Sequence, residues 1–194
     1  MTADIKETLE SILSKINLID ANDIPNIDLY MDQVTTFMES HLGNLKRSPD
    51  DKVLTKTMIN NYAKNHLLPA PDKKKYSKEH LLLLIYIYYY KSILSIGDIQ
   101  SLLEPLTQRY FHKDGEMNMQ SIYEEVFSLE KEQVEKMKQD VTEKYETASR
   151  IFPEAEAEDQ EFLRIFSFIC LLSFDVYVKK QVIEKLIDEL PKKS

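Results

Sequence analysis

The sequence predicts a mainly α-helical protein, interrupted at most by one short β-wing. Three observations predict it: apolar residues recur at spacings of three and four along most of the 194-residue chain, only three glycines occur, and helix-capping residues alternate with prolines as start and stop signals. The first helix follows from Ile5, Leu9, Ile12 and Ile16, a narrow stripe at spacings of four, three and four. Pro25 falls in the loop after it. Beyond Asp28, read as an N-cap, Tyr30, Val34, Phe37 and His41 share one face, and Gly43 marks the stop.

A polar connector, NLKRSPDDK, leads to Thr55, which is placed to cap a helix carrying Met58, Ile59, Tyr62 and Ala63. That helix is expected to end by His66, because Pro69 disfavours a helical conformation at Leu68. Only Lys73 to Tyr76 looks suited to pairing as a wing. Ser77 then caps a helix with Glu79 in its first turn, where the dipole favours an acid. That helix, through about Ile93, is apolar on nearly every side and belongs in a core. Ser95 and Asp98 fit a capping-box-like S-x-x-D, opening a helix with Ile96, Ile99, Leu102 and Leu103 inward, which Pro105 is expected to end.

The chain changes character at about Asp114. Ile122, Val126, Leu129, Val134, Met137, Val141 and Tyr145 form an imperfect heptad-like stripe on a long acidic helix. Phe162 to Tyr177 is apolar on nearly all faces apart from Arg164 and Asp175, and Val182, Ile183, Leu186, Ile187 and Leu190 continue a narrower stripe. Burying both segments within one small monomer is difficult, so a homodimer through residues 114–194 is expected. A ligand pocket lined by Phe162, Phe166 and Cys170 is the other use of this surface, but no polar anchor accompanies it. The expected organisation is an N-terminal helix over 1–20, a compact unit over 21–113 and a helical dimerisation or effector region over 114–194.

Composition narrows the class. Hydrophobic residues make up 43% and charged residues 30%, as in ordinary soluble proteins. A single cysteine, Cys170, cannot close an internal disulfide, which fits a reducing compartment; it is read as a buried, inert thiol. The longest apolar run, Leu81 to Tyr90, is far too short to span a bilayer, so a cytoplasmic protein without membrane association is expected. The net charge of −8 argues against nucleic acid, but its distribution argues the other way. Residues 44–93 hold ten Lys or Arg against four acids, a local charge of +6 that leaves −14 elsewhere. Such an island is a candidate phosphate-binding face, because neutralising phosphates releases condensed counterions. A solvated lysine face is the bland alternative.

Enzyme motifs are missing. No phosphate-cradling loop, dinucleotide fingerprint, HExxH or GxSxG occurs, and His41, His66, His80 and His112 show no metal spacing. The chain is therefore read as a non-enzyme with no cofactor and no metal. His66 and His80 are taken as surface or boundary residues. The aromatic run Tyr86 to Tyr90 is assigned to core and interface rather than to a stacking platform for single strands.

A short helix, a turn, a second helix with polar residues near its start and a basic wing make a winged helix-turn-helix pattern, in which the second helix enters the major groove and the wing grips backbone. From Thr55 to Leu103 the order of residues resembles the MerR-type DNA-binding domain. The residues that carry the resemblance are Asn60-Asn61-Tyr62 in the recognition helix, His66-Leu67-Leu68-Pro69 after it, Lys74-Lys75-Tyr76-Ser77 closing the wing, His80-Leu81 onward, and Ser95 to Leu103. Asn60 stands where the family usually has Arg, His66 where it has Gly, and Lys74 where it has a wing Arg. The wing is shorter than usual and the NLKRSPDDK connector longer. As a whole the chain resembles an uncharacterised bacterial family of unknown function with a MerR-like N-terminal half.

The resemblance implies a sequence-specific transcriptional regulator binding double-stranded DNA as a homodimer, with no small-molecule effector specified. Thr55, Lys56 and Thr57 lie in the first turn of the recognition helix, where N-terminal groups meet phosphate; for Thr55, capping and phosphate contact are compatible. Asn60, Asn61 and Lys64 follow, and Asn is suited to bidentate adenine reading. Tyr62 is equally suited to the core or to a phosphate. Lys73, Lys74, Lys75 and Tyr76 form the wing, contacting backbone. The competing expectation is a protein-interaction module that keeps the fold without binding DNA.

Overall fold

The structure, a computed structural model, describes residues 2–16 and 18–191. Asn17 and the outer bounds of the expected regions, Met1 and Ser194, lie outside the described residues. In chain order the elements are α1 (Thr2–Ser14), β1 (Leu29–Tyr30), α2 (Met31–Leu42), α3 (Lys56–Lys64), β2 (Lys75–Tyr76), α4 (Lys78–Tyr90), α5 (Ile96–Tyr110), α6 (Met119–Ser149) and α7 (Ala157–Asp188). The mainly helical expectation holds, and α1 ends before Ile16.

The organising element is α4. Every residue from His80 to Ile87 is buried, with Leu81, Leu82, Leu83, Leu84 and Ile87 fully so. At roughly 1.5–3 kcal/mol for each fully buried large apolar side chain, this stretch is the largest local source of stability. Tyr88, Tyr89 and Tyr90 are half-buried against the same core, and Tyr86 stacks on Tyr90 with centroids 5.8 Å apart, so the tyrosine run serves packing. The helix stops at Tyr90, three residues short of Ile93, in a turn where the Ile93 and Leu94 amides donate to Tyr90 O.

The strand pairing has a partner that periodicity could not indicate. β2 pairs antiparallel with β1, Leu29 opposite Tyr76 and Tyr30 opposite Lys75. Because Leu29 and Tyr30 are spent on the ladder, Asp28 does not cap α2; Tyr30 does, its amide donating to Gln33 Oε1 at 2.8 Å. Tyr30 is exposed and leaves the inner face to Val34, Phe37, Met38 and Leu42.

Two further expectations are corrected. Pro105 lies inside α5, which continues to Tyr110; the missing N–H forgoes one hydrogen bond, while Leu106 and Tyr110 pack on the core and Thr107 Oγ1 donates to the carbonyls of Leu103 and Glu104. Ile96 is exposed, leaving Ile99 and Leu103 as the buried residues of that helix. The Ser95–Asp98 capping box is present, each residue accepting the other's amide at 3.1–3.2 Å.

α6 and α7 form a long antiparallel hairpin joined by residues 150–156. Its open end is continuous with the core: Met119 and Tyr123 from α6 and Ile187 from α7 join the main cluster. Tyr123 Oη donates to Ile19 O at 2.6 Å, and its ring meets Tyr86 edge-on. Toward the tip, Tyr145 packs edge-on against Phe168 and Lys144 pairs with Asp175 at 3.4 Å. Among the described residues no helix is long and apolar enough to cross a membrane.

His80, expected at the surface, is 2% exposed. Its Nδ1 accepts the Ser77 amide at 3.0 Å, so the imidazole occupies the place of the Glu or Gln of a capping box. Around it lie Tyr76, Phe111 and His112, while Nε2 is buried near the Pro69 and Ala70 carbonyls without a well-formed hydrogen bond. Burial is the main reason that its pKa falls from 6.5 to about 4. The folded state thus binds fewer protons than the unfolded chain, and the stabilisation is complete above pH 6.5 and drains away as pH falls toward 4. Urea unfolding should show His80 costing about 2 kcal/mol between pH 7 and pH 5, a loss that His80→Gln, which restores a common capping box, should remove.

Candidate nucleic-acid interface

The candidate recognition helix is set by its own cap and by a clamp on the connector just upstream of that cap. Thr55 Oγ1 accepts the Met58 amide at 3.1 Å. Two residues upstream, the Val53 amide donates to Glu39 Oε2 at 3.3 Å and the Val53 carbonyl accepts from Lys91 Nζ at 2.7 Å. Glu39 also accepts from Lys46, the main reason that its carboxyl is held below its ordinary value, and burial lowers the Lys91 pKa. Both polar groups of a buried backbone unit are therefore satisfied by charged side chains from α2 and the end of α4. The long connector is pinned at the point where it enters α3.

At roughly 100° per residue, Met58, Ile59, Tyr62 and Ala63 fall on one side of α3, and Ile59 and Tyr62 are buried. The opposite side is a continuous arc of Lys56, Thr57, Asn60, Asn61 and Lys64, all exposed. Thr55 is half-buried at its base. Lys56 pairs with Asp32 at the start of α2 through an exposed contact. Tyr62 takes the core side of its two alternatives, at 8% exposed, with burial raising its pKa.

The wing is a hairpin turn with lysines at its tip. Lys73 and Lys74 have φ of 46° and 67°, and the Lys75 amide donates to Asp72 O at 2.7 Å, the pattern of a type I′ turn. Asn-Gly is the usual occupant of such a turn, because both central residues need positive φ. Two lysines there are strained and fully presented to solvent. Lys75 lies over the Tyr30 ring at 5.3 Å, and Tyr76 is buried beneath the wing. The structure thus exposes nine of the eleven expected interface residues at least in part, and buries Tyr62 and Tyr76 as their supports.

Part of the basic island lies elsewhere. Lys46, Arg47, Lys52 and Lys91 line a groove of about 400 Å³ with Tyr88, Tyr89 and Ser92, at the connector. Neither this grouping nor the exposure of Cys170 was visible in the spacing. Phe162, Phe166 and Cys170, expected to line a pocket with the thiol buried, are instead all exposed on α7. The cavity near that level of the hairpin lies on the inner face, among Ile5, Tyr145, Arg164 and Phe168, and at about 50 Å³ is far below ligand-site size. Among the described residues no group of three or more His, Cys, Asp or Glu is placed to hold a metal.

A mainly helical domain carrying a two-stranded antiparallel sheet is the class that these elements define. The chain belongs to the family described as Domain of unknown function (DUF1836), whose model matches residues 19–126. The match starts at the residue whose carbonyl receives the Tyr123 hydroxyl and ends one turn of α6 beyond that tyrosine. The rest of the α6–α7 hairpin lies outside it. No curated protein and no solved structure matches the chain.

The exit from α3 is held by a Schellman motif: the Leu67 amide reaches Tyr62 O at 2.9 Å and the His66 amide reaches Ala63 O at 3.2 Å, with His66 at φ 57°. This is a glycine position filled by histidine. His66→Gly should raise stability by about 1 kcal/mol in urea unfolding, because relief of the left-handed strain exceeds the added freedom of the unfolded chain.

Proposed function

We propose that the protein is a sequence-specific, DNA-binding transcriptional regulator that engages duplex DNA as a homodimer. α3 is the recognition helix and the β1–β2 wing the backbone contact, in the manner of a MerR-like winged helix-turn-helix. The observation that carries this reading is the joint display of an exposed polar arc on α3 and a double-lysine turn, within the one basic segment of an acidic chain. Lys56, Thr57 and the open first turn suit phosphate. Asn60 and Asn61 suit base edges, with paired donor and acceptor groups. The exposed Lys56–Asp32 pair is weak and can be displaced by a phosphate. Burial of Tyr62 and Tyr76 fixes the spacing of helix and wing without requiring either ring to touch DNA.

One observation favours the other class of function. Asp32 places an exposed carboxylate beside the start of α3, where it would oppose phosphate. A protein-interaction module would tolerate it.

Titrations with cognate and mismatched duplexes separate the two readings. Asn60→Ala or Asn61→Ala should reduce discrimination by about 1–3 kcal/mol while leaving non-specific binding and folding intact. Both variants keeping full preference would favour the interaction module.

The wing can be tested without damaging its turn. Lys73→Asn with Lys74→Gly removes two charges yet supplies the residues that a type I′ turn prefers. Affinity for cognate and random DNA should fall alike, and the slope of log K against log salt should flatten by about two units.

A further inference from the structure

The outer face of α7 has no cover in the monomer. Phe168 and Asp175 point toward α6, so residues about 180° around the helix, centred on Phe166, Cys170 and Tyr177, point away from it. Phe162 and Phe174 are 66% and 67% exposed, and no exposed position from Phe162 to Val178 carries a charge. The apolar side chains here offer roughly 800 Å² per copy, above the largest patch of a typical monomer and equal to one side of a standard interface.

Charge decides the occupant and its direction. Glu154, Glu156, Glu158, Asp159 and Glu161 precede the apolar span, whereas in the stretch after it Lys179, Lys180 and Lys185 are balanced by Glu184, Asp188 and Glu189. Glu158 and Asp159 make no ion pair among the described residues. The three lysines are held only by pairs four residues away on their own helix, with Asp175, Glu184 and Glu189, which are worth little. The midpoint of Phe162 and Val178 is residue 170, on the centre line of the outer face. Antiparallel packing of two copies about that point would set the acidic end of each helix at the level of the partner's charge-balanced end and align opposed helix dipoles. Parallel packing would set the acidic start of one helix against the acidic start of the other.

The geometry points to self-association of the chain through antiparallel pairing of α7 with α7 of a second copy, its two-fold axis passing near Cys170. The two α6–α7 hairpins then make a four-helix bundle. Each apolar outer face becomes an interior layer of it. Because Ile187 joins each core at the far end of α7, the two Ile187 residues lie about 50 Å apart along the bundle. This goes beyond the DNA-binding reading and does not depend on it.

Cross-linking of the full chain tests both the partner and the direction. Mild oxidation or a short bismaleimide should convert the wild type to a covalent dimer through Cys170, the only cysteine. In a Cys170→Ser background, Asp159→Cys mixed with Gln181→Cys, both exposed on the outer face and equidistant from residue 170, should cross-link, and neither alone should do so. Phe166→Glu should weaken dimerisation by at least about tenfold in sedimentation while leaving helix content unchanged, since the side chain is 53% exposed and its ring stacks on Phe162 of the same outer face. A wild type that sediments as a monomer at micromolar concentration would overturn the pairing, and so would Asp159→Cys linking to itself. DNA titration of the Phe166→Glu variant keeps the two readings distinguishable: a monomer that still prefers cognate half-sites sustains the recognition helix whatever α7 does.

Discussion

A helix that is apolar on every side has to be surrounded, and α4 imposes that requirement on the rest of the protein. Its faces are met by the wing, α5 and the start of α6, while α2 closes the core beside them. Ser77 and His80 cap its first turn with side chains already inside the protein, so the helix begins where the wing ends. The wing is thereby anchored by the most deeply buried element of the molecule, although its tip is exposed.

The candidate interface inherits its rigidity from this core. α3 has only nine residues, too few to be stable alone, and it is fixed by two tertiary devices, the Val53 clamp at its entry and the buried Ile59 and Tyr62 on its inner face, and by the local Schellman turn at its exit. Strain collects at the same place. His66, Lys73 and Lys74 all hold positive φ within nine residues, a cost that the surrounding packing sustains where a polar surface is displayed.

The second half works by a different logic. Beyond Tyr123 the hairpin is long and thinly packed, with much of its apolar surface on the outside of α7 rather than between its two helices. Acids crowd the start of α7 while the charges beyond Val178 balance, which makes direction as well as contact energetically distinct.

Much of this was legible in local sequence because local physics decides it. The Thr55 cap, the Ser95–Asp98 box, the buried and exposed sides of α3 and the envelopment of α4 depend on residues three or four apart, which a helix brings together wherever it lies. What sequence could not decide depends on partners far along the chain. β1 is two residues long and pairs with a strand 46 positions later, a contact without a periodic signature that also moved the α2 cap from Asp28 to Tyr30. Pro105 stays helical because packing outweighs one lost hydrogen bond, and Ile96 is exposed because α5 turns only Ile99 and Leu103 fully inward. Periodicity showed that the Phe162–Tyr177 segment was too apolar to stay bare. Only the tertiary structure showed which side α6 covers, because either face could have met it and the choice is made by Phe168 and Asp175 across the hairpin.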